Sequence, residues 1–191
     1  MENNTLIVGL DEVGRGCLAG PVIAAAVILD KNKKIEGLAD SKKLTNAKRK
    51  ALDKCIRRDA IAFSIGRAEV LEIDEINILH ASLLAMKRAY DGLHIKADYA
   101  RVDGIYYPKI EVSGECIKGG DNLFEEISAA SIIAKVYRDD HMETLDTFYS
   151  GYGFAKHKGY PTAEHNQLLK SLGVSNVHRR SFAPVKRMID E

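Results

Sequence analysis

Acidic residues follow two apolar segments of this 191-residue sequence, at the points where strands of a sheet would end. Asp11 and Glu12 come directly after the aliphatic run 5–10, and Asp103 follows the short run 99–102. Because α/β folds place ligand sites at strand ends, the three carboxylates are expected to meet at one edge of a sheet. Adjacent strand residues face opposite ways, so Asp11 and Glu12 can share a site only if the strand ends or bulges between them, which the nearby glycines favour.

A fourth carboxylate, that of Asp121, follows two glycines and precedes a long helical pattern. Its ordinary role would be that of a helix N-cap. Asn122 and Glu125, however, already have the spacing of a capping box, with Asn in place of the usual Ser or Thr. Asp121 is therefore available for the same site as the other three acids.

Four converging carboxylates would repel one another and raise one another's pKa values unless cations neutralise them. Oxygen-only ligands suit the hard ions Mg²⁺ and Mn²⁺. Two such ions, roughly 4 Å apart, could orient and neutralise a phosphodiester under attack by water. The acidic residues thus favour metal-assisted hydrolysis of a phosphodiester bond, although Asp and Glu are also common at turns.

Strand and helix patterns alternate along the chain. Strands are predicted over 5–10, 21–29, 61–68 and 99–102, and helices over 46–59, from 78 to a stop at Gly92, and over 122–149, 163–172 and 183–190. Thr45 is expected to cap the first helix. This alternation indicates an α/β fold, and the length is that of one domain.

Composition excludes several classes of protein. Hydrophobic residues make up 46% of the chain and charged residues 29%, which is typical of ordered globular proteins. The longest apolar stretch, 17–29, is interrupted by a Gly-Pro pair and is too short to span a membrane. The acidic N-terminus does not resemble a signal peptide, and three scattered cysteines form neither a disulfide framework nor a zinc motif. We therefore expect a cytoplasmic protein with no membrane segment.

The formal net charge of +1 hides an uneven distribution. Residues 31–58 contain eleven Lys or Arg against three acidic residues, a net charge of +8, and residues 151–191 contain seven against three, a net charge of +4. Clustered basic residues fit a polyanionic partner such as a nucleic acid. A solvated helix face explains the first segment about as well, so charge alone does not decide between them.

Residues 9–22 read Gly-Leu-Asp-Glu-Val-Gly-Arg-Gly-Cys-Leu-Ala-Gly-Pro-Val and resemble the opening signature of prokaryotic ribonuclease HII, the type 2 ribonuclease H family. The resemblance continues through Asp-Ser-Lys-Lys-Leu-Thr at 40–45, Asn-Ile-Leu-His-Ala-Ser at 77–82, Val-Asp-Gly at 102–104, Ile-Ser-Ala-Ala-Ser-Ile-Ile-Ala-Lys-Val at 127–136, His-Lys-Gly-Tyr-Pro-Thr at 157–162 and His-Arg-Arg-Ser-Phe-Ala-Pro-Val at 178–185. The blocks keep their order over nearly the whole chain, which chance similarity does not explain.

The resemblance implies an α/β RNase H-like fold, with a central mixed β-sheet flanked by helices and a helical C-terminal segment. It implies one catalytic domain over 1–191, with a core over about 1–150 and a substrate-binding segment over about 151–191. The implied enzyme is an endoribonuclease that uses two Mg²⁺ or Mn²⁺ ions. It would hydrolyse RNA in RNA–DNA hybrids and cleave DNA 5′ to single embedded ribonucleotides, leaving 3′-hydroxyl and 5′-phosphate ends. We expect a monomer. Whether a replication clamp is a partner stays open.

The resemblance also assigns roles to individual residues. The catalytic, metal-binding residues would be Asp11, Glu12, Asp103 and Asp121, the ribonucleotide-sensing turn would be Gly14-Arg15-Gly16, and the stacking tyrosine would be Tyr160. One departure is that the family usually has Lys-Gly-Asp before its last acid. Here Lys118 stands one residue earlier, which places the role of the lysine in doubt but not that of the carboxylate.

The residues themselves are compatible with these roles. Glycines on both sides of Arg15 permit close backbone approach to a sugar, where a 2′-hydroxyl distinguishes RNA from DNA, although Gly-Arg-Gly alone also suits an ordinary turn. The Tyr160 ring could stack on a sugar or base, with a core or surface position as the alternative. Lys42 and Lys43 are expected to contact phosphates. The histidines at 80, 157, 165 and 178 show no metal-binding spacing and are expected to be structural.

Two other functions compete with this hypothesis. The first is a module that binds RNA–DNA hybrids without cutting them, which the four acids oppose because unneutralised carboxylates repel phosphate. The second is an activity like that of ribonuclease HIII, which needs longer RNA runs. The Gly-Arg-Gly turn and the absence of an N-terminal extension before Leu6 argue against this second function.

Overall fold

The structure, a computed structural model, describes residues 5–39 and 41–190, apart from the side chain of Lys42. Its centre is a five-stranded sheet in the order β3-β2-β1-β4-β5. The strands are β1 (Ile7–Val13), β2 (Val22–Ile28), β3 (Ala62–Ala68), β4 (Tyr99–Asp103) and β5 (Gly114–Ile117). Because β1 pairs antiparallel with β2 and parallel with β4, the sheet is mixed, as the resemblance implies.

Six α-helices surround the sheet in the described part of the chain, and two short 3₁₀ turns precede the first and the third of them. The helices are α1 (Asn46–Asp59), α2 (Val70–Asp91), α3 (Glu125–Phe148), α4 (Phe154–His157), α5 (Ala163–Leu172) and α6 (Ala183–Asp190). The 3₁₀ turns are Ser41–Lys43 and Gly120–Asn122. The predicted N-cap of α1 is confirmed, since the Thr45 hydroxyl accepts a hydrogen bond from Lys48 N–H.

Two helix starts differ from the prediction. Helix α2 begins at Val70 rather than at Ile78, because Asn77 (φ 64°) separates two helical halves and only the second has a clear pattern. The predicted capping box of α3 is wrong. Phe124 is the N-cap, without a side-chain cap, and Asn122 belongs to the preceding 3₁₀ turn.

Both faces of the sheet are buried. Val8 and Leu10 of β1 join the apolar cluster beneath α2, whereas Ile23, Ala25 and Val27 of β2 join the cluster beneath α1 and α3. This two-sided burial explains why β1 and β2 are continuous apolar runs rather than alternating ones.

Helix α3 packs against β1 without an intervening side chain. A Cβ atom at Gly9 would lie 2.2 Å from the carbonyl carbon of Glu126, so only glycine permits this approach. The small residues of α3 predicted such close packing. The contact fixes the position of α3 beside Asp11, two residues beyond Gly9.

The C-terminal segment 151–190 is bound to the loop between β1 and β2 by two fully buried arginines. Arg138 of α3 donates hydrogen bonds to the carbonyls of Ala19, Pro21 and Lys158, at 2.9 to 3.1 Å. Arg179 donates to carbonyls of the same loop from the other end of the segment. The segment therefore forms one wall beside residues 14–21.

Three buried histidines fill the interior of this segment, packed around the Phe154 ring. The rings of His157 and His165 stack with centroids 4.2 Å apart, and the Nε2 atoms of His165 and His178 lie 3.1 Å apart. Ser175 contacts Nδ1 of His178. Each ring thus packs in the segment interior, which agrees with the structural role expected for them.

Acid is expected to destabilise this segment. Burial, and then the neighbouring His165, lower the pKa of His178 to about 4 from an ordinary value near 6.5. The neutral His178 ring makes its full contribution to the free energy of unfolding above pH 6.5. This contribution is lost as pH falls from about 6.5 towards 4, because the unfolded chain then binds a proton that the folded protein excludes. The loss is about 3 kcal/mol. Urea unfolding at pH 7.5 and 4.5 measures it.

The matched variant for this prediction is His178→Asn, which removes the titrating ring. We expect the loss of stability between the two pH values to be clearly smaller in this variant than in the original protein. His94→Asn, at an exposed position, is the control and should leave the loss unchanged. An equal loss in His178→Asn and in the original protein would contradict the assignment.

Candidate active site

The four predicted acidic residues lie at one edge of the sheet, where β1 and β4 stop pairing. The last paired residues of these strands are Leu10 and Val102, so Asp11 and Asp103 are the next residues on neighbouring strands. The Asp11 side chain is 6% exposed and accepts a hydrogen bond of 2.7 Å from Glu12 N–H. The expectation that strand ends bring these residues together is correct for Asp11 and Asp103.

Burial and like charge dominate the electrostatics of Asp11. Its pKa is raised well above the ordinary value, mainly by burial and then by the charges of Glu12 and Asp103, while a hydrogen bond with Ser131 acts in the opposite direction. Burial also raises the pKa of Glu12, against the attraction of Arg15. The carboxylate form of Asp11 is therefore costly until a cation approaches.

Glu12 reaches this edge in a way that differs from the prediction. The expected strand end or bulge is wrong, because the ladder to β2 continues without a break through the pairs Asp11–Ala25 and Glu12–Ala24. Glu12 instead lines a small cavity beside α2, and Asp103 lines the same cavity. Asp103, at the end of β4, lies close enough to influence both carboxylates.

Asp121 joins the edge through the 3₁₀ turn after β5. Gly120 N–H donates a hydrogen bond of 2.8 Å to Asp103 Oδ1, which ties this turn to the end of β4. Asp121 is 6% exposed, and its Oδ1 accepts from the Asn122 amide at 3.0 Å. The neighbouring Lys118 is exposed. The extra glycine between Lys118 and Asp121 is thus accommodated in the turn, where Gly119 has a φ of 70°.

The donor set is suitable for a hard divalent ion, but it is not assembled in this conformation. In the described residues, no group of three His, Cys, Asp or Glu side chains is close enough to hold a metal ion. The oxygen chemistry and the raised pKa values of Asp11 and Glu12 nevertheless fit Mg²⁺ or Mn²⁺. Side-chain rotation at the strand ends would have to complete the site.

The Gly-Arg-Gly turn lies directly beside the carboxylates. Gly14 has φ of 94°, a conformation that favours glycine, and Gly16 is exposed with nothing within 4 Å of where a Cβ would stand. Arg15 Nη1 donates to Glu12 Oε1 at 3.1 Å while nearly half of the Arg15 side chain stays exposed. The structure therefore brings this turn and the acidic edge together.

Tyr160 lies on the other side of the same turn. Its hydroxyl lies near the buried thiol of Cys17, the residue that follows Gly16, and burial raises the pKa of the phenol. The ring faces two cations, with Lys135 Nζ 5.7 Å and the Arg138 guanidinium 5.9 Å from its centroid. Tyr160 is half-buried.

Lys43 approaches the acidic edge from the turn before α1. Its Nζ donates to Asn122 Oδ1, next to Asp121, and Ser41 of the same turn lies 2.9 Å from Ser131 between the two hydroxyl oxygens. The side chain of Lys42 lies outside the described residues. Ser131 is a site neighbour that the sequence did not identify, because only the fold brings it to the acids, and Asn122 was expected to be a capping residue instead.

Comparison with known proteins establishes the family. The family model described as ribonuclease HII matches residues 8–185. The chain belongs to the ribonuclease HII family. Ribonuclease HII of Aliivibrio fischeri strain MJ11 is 55% identical over 188 residues, covering 98% of this chain and 91% of the relative. Ribonuclease HII proteins are metal-dependent endoribonucleases that act on RNA–DNA hybrids, and the chain is an enzyme of this class.

Solved structures agree on the fold. The ribonuclease H2 of Pyrococcus horikoshii OT3 has a TM-score of 0.80 at 28% identity, covering 97% of this chain and 98% of that one. Bst-RNase HIII in complex with Mn²⁺ also has a TM-score of 0.80, covering 97% of this chain and 70% of that one, but at 16% identity it shows the fold alone. The predicted RNase H-like α/β fold is confirmed.

The RNase HII in a PCNA:RNase HII complex from Archaeoglobus fulgidus has a TM-score of 0.72 at 24% identity, covering 91% of this chain and 93% of that one. That likeness too concerns the fold alone. In the part of the chain that the structure describes, no helix has both the length and the apolar character needed to cross a membrane.

Proposed function

We propose that this ribonuclease HII cleaves duplex DNA 5′ to a single embedded ribonucleotide, leaving a 3′-hydroxyl and a 5′-phosphate. The observation that carries the proposal is the contact between the Gly14-Arg15-Gly16 turn and the acidic edge, made by Arg15 and Glu12. A phosphodiester next to a ribose in the turn would lie at the carboxylates. Recognition and hydrolysis would then occur at one nucleotide.

Asp11, Glu12, Asp103 and Asp121 would hold two Mg²⁺ or Mn²⁺ ions. When bound, the ions would supply the positive charge that neutralises the phosphodiester and favours attack by water. The protein contributes the arrangement of the oxygens: burial keeps Asp11 in place beside α3, and the Gly120 N–H orients Asp103. The high cost of the Asp11 charge makes this edge a favourable position for a cation.

The turn and Tyr160 would recognise the ribonucleotide together. Exposed peptide groups at Gly16 can contact a 2′-hydroxyl, which is both a donor and an acceptor. The Tyr160 ring, which lies near Cys17 beside the turn, would stack on the adjacent deoxyribose. In this arrangement, the segment over about 151–191 binds substrate and the core over about 1–150 carries the acids.

Tyr160→Ala is expected to reduce turnover of a single-ribonucleotide duplex about tenfold or more, because the stacking surface is worth about 1–3 kcal/mol. Tyr160→Phe is the matched control, since it keeps the ring and removes only the hydroxyl, and it should retain most of the turnover. Steady-state cleavage of a labelled duplex measures both. Equal losses in the two variants would show that stacking is not the role of Tyr160.

Lys43 and Lys42 would contact phosphates and contribute affinity without sequence preference. Lys43→Ala is expected to weaken binding of every duplex and to reduce the slope of log affinity against log salt by about 1. Lys109→Ala, an exposed lysine outside the site, is the control and should keep the slope. Fluorescence anisotropy over a range of salt concentrations, with Ca²⁺ replacing Mg²⁺, measures it. An unchanged slope in Lys43→Ala would contradict the contact.

The test of the function is incubation of the protein with a labelled duplex that contains one ribonucleotide, in Mg²⁺ or in EDTA. Cleavage in Mg²⁺ alone supports the proposal. Binding without cleavage would favour a hybrid-binding module. Cleavage of a four-ribonucleotide tract but not of the single ribonucleotide would show a ribonuclease HIII-like specificity instead.

A further inference from the structure

Arg179 is a fully buried arginine in the C-terminal segment, and none of the functions above uses it. Its Nη1 donates a hydrogen bond of 2.9 Å to the backbone carbonyl of Arg15, the central residue of the Gly-Arg-Gly turn. Its Nε donates a second bond of 2.9 Å to the Gly20 carbonyl, and its own N–H donates to Leu18 O at 2.8 Å. Arg179 therefore spans the loop and holds one specific peptide group of the turn.

The orientation of that peptide group follows from its planarity. No cis peptide bond occurs among the described residues, so the Arg15 carbonyl and the Gly16 N–H lie in one plane and point in opposite directions. Since Arg179 holds the carbonyl towards the protein interior, the Gly16 N–H points outward. Gly16 is exposed, and no described residue accepts a hydrogen bond from this N–H.

Arginine at this position carries costs as well as hydrogen bonds. Burial lowers the pKa of Arg179 to about 10, and its Nη2 has no hydrogen-bond partner among the described residues. An unpaired buried donor costs about 1–3 kcal/mol, and a buried charge adds to that cost. A long apolar side chain would avoid both penalties, but it would leave the Arg15 and Gly20 carbonyls without this donor.

We propose that Arg179 is a positioning residue for ribonucleotide recognition: it fixes the Arg15–Gly16 peptide so that the Gly16 N–H faces the 2′-oxygen of the substrate. This inference rests on the proposed function, in which the turn reads the 2′-hydroxyl. Arg179 does not touch the substrate itself. It determines specificity through the turn, and its loss should reduce discrimination between RNA and DNA more than it reduces general binding.

The test compares binding of two duplexes of one sequence, all-DNA and with a single ribonucleotide, by anisotropy in Ca²⁺. For the original protein we expect tighter binding of the ribonucleotide duplex. Arg179→Met should reduce this preference about tenfold, the factor that one ordinary hydrogen bond contributes, with little change in affinity for all-DNA. Arg179→Lys, which keeps a charge and one donor, should restore part of the preference.

A control separates positioning from general loosening of the segment. His178→Asn changes the buried residue next to Arg179. In the described part of the chain, the His178 side chain makes no hydrogen bond to residues 14–16. This variant should therefore keep the preference for the ribonucleotide duplex even if the protein becomes less stable. If Arg179→Met kept the full preference, or if His178→Asn lost it equally, the inference would be overturned. No preference in the original protein would instead overturn the proposed function, and the inference with it.

A second measurement needs no variant. In protein labelled with ¹⁵N-glycine, the Gly16 amide resonance should shift on addition of the ribonucleotide duplex and shift much less with the all-DNA duplex. A Gly16 amide that responds equally to both duplexes, in a protein that prefers the ribonucleotide duplex, would show that this N–H does not read the 2′-oxygen. That result would overturn the inference even if Arg179→Met failed to fold.

Discussion

Asp11→Asn is expected to abolish cleavage and to raise the stability of the metal-free protein. The substitution keeps the volume of the side chain but removes a charge that burial, Glu12 and Asp103 all disfavour. A missing metal ligand should cost several kcal/mol of transition-state stabilisation, roughly a thousandfold in rate or more. Loss of like-charge repulsion should raise the free energy of unfolding at neutral pH.

Single-turnover cleavage at saturating Mg²⁺, together with thermal unfolding in EDTA, measures both effects in one protein. Asp103→Asn should also abolish cleavage. Asp190→Asn, at an exposed carboxylate in the last helix, is the control and should change neither quantity. Turnover of Asp11→Asn within tenfold of the original protein would show that Asp11 is not a metal ligand.

Gly9→Ala is expected to be a strongly destabilising single-methyl change near the site. The added Cβ would lie 2.2 to 2.5 Å from backbone atoms of Glu126 and Ile127, which cannot rotate away as a side chain could. Helix α3 would have to move off β1, at a cost of about 3 kcal/mol or more against a total stability of about 5–15 kcal/mol. The movement would also displace Ser131 from Asp11.

Urea unfolding gives the change in stability, and activity of the folded fraction gives the effect on the site. Gly16→Ala adds the same methyl group in the exposed turn, where no atom lies within 4 Å of the new Cβ. This control variant should therefore cost little stability. If Gly9→Ala were as stable as Gly16→Ala, the direct packing of α3 on β1 would be wrong.

The sequence predicted the features that depend on local pattern. Apolar runs located β1, β2 and β4, and the acids after the runs of β1 and β4 marked the edge of the sheet. Strand β5 was missed because Gly-Glu-Cys-Ile is short and only its last two residues are apolar, and it forms a strand only through pairing with β4. The early start of α2 was missed because Asn77 interrupts the helical geometry that a pattern would continue.

Contacts between distant parts of the chain explain what remained hidden in the site. Arg179 and Arg15 are far apart in sequence and meet only because the C-terminal segment packs against the loop after β1. The sequence shows only that Arg179 is one of several basic residues in 151–191, and this cluster suggests that Arg179 contacts phosphate. Its complete burial assigns it to the interior instead.

The position of Glu12 shows a third limit. Alternation along a strand predicts opposite faces for Asp11 and Glu12, and a bulge seemed necessary to unite them. The ladder has no bulge, and the pairing of β1 with β4 instead ends at Leu10 and Val102, next to Asp103, which influences both carboxylates. Where the pairing of two strands ends depends on the whole sheet, which residue types do not encode locally.

Mapping the cleavage products of a duplex with one ribonucleotide tests most directly whether recognition and hydrolysis occur at one nucleotide. The proposed function predicts one cut, immediately 5′ to the ribonucleotide, that requires Mg²⁺ or Mn²⁺ and leaves a 5′-phosphate on the ribonucleotide and a 3′-hydroxyl on the preceding deoxynucleotide. A cut on the 3′ side, a 2′,3′-cyclic phosphate, or equal cleavage in EDTA would contradict it.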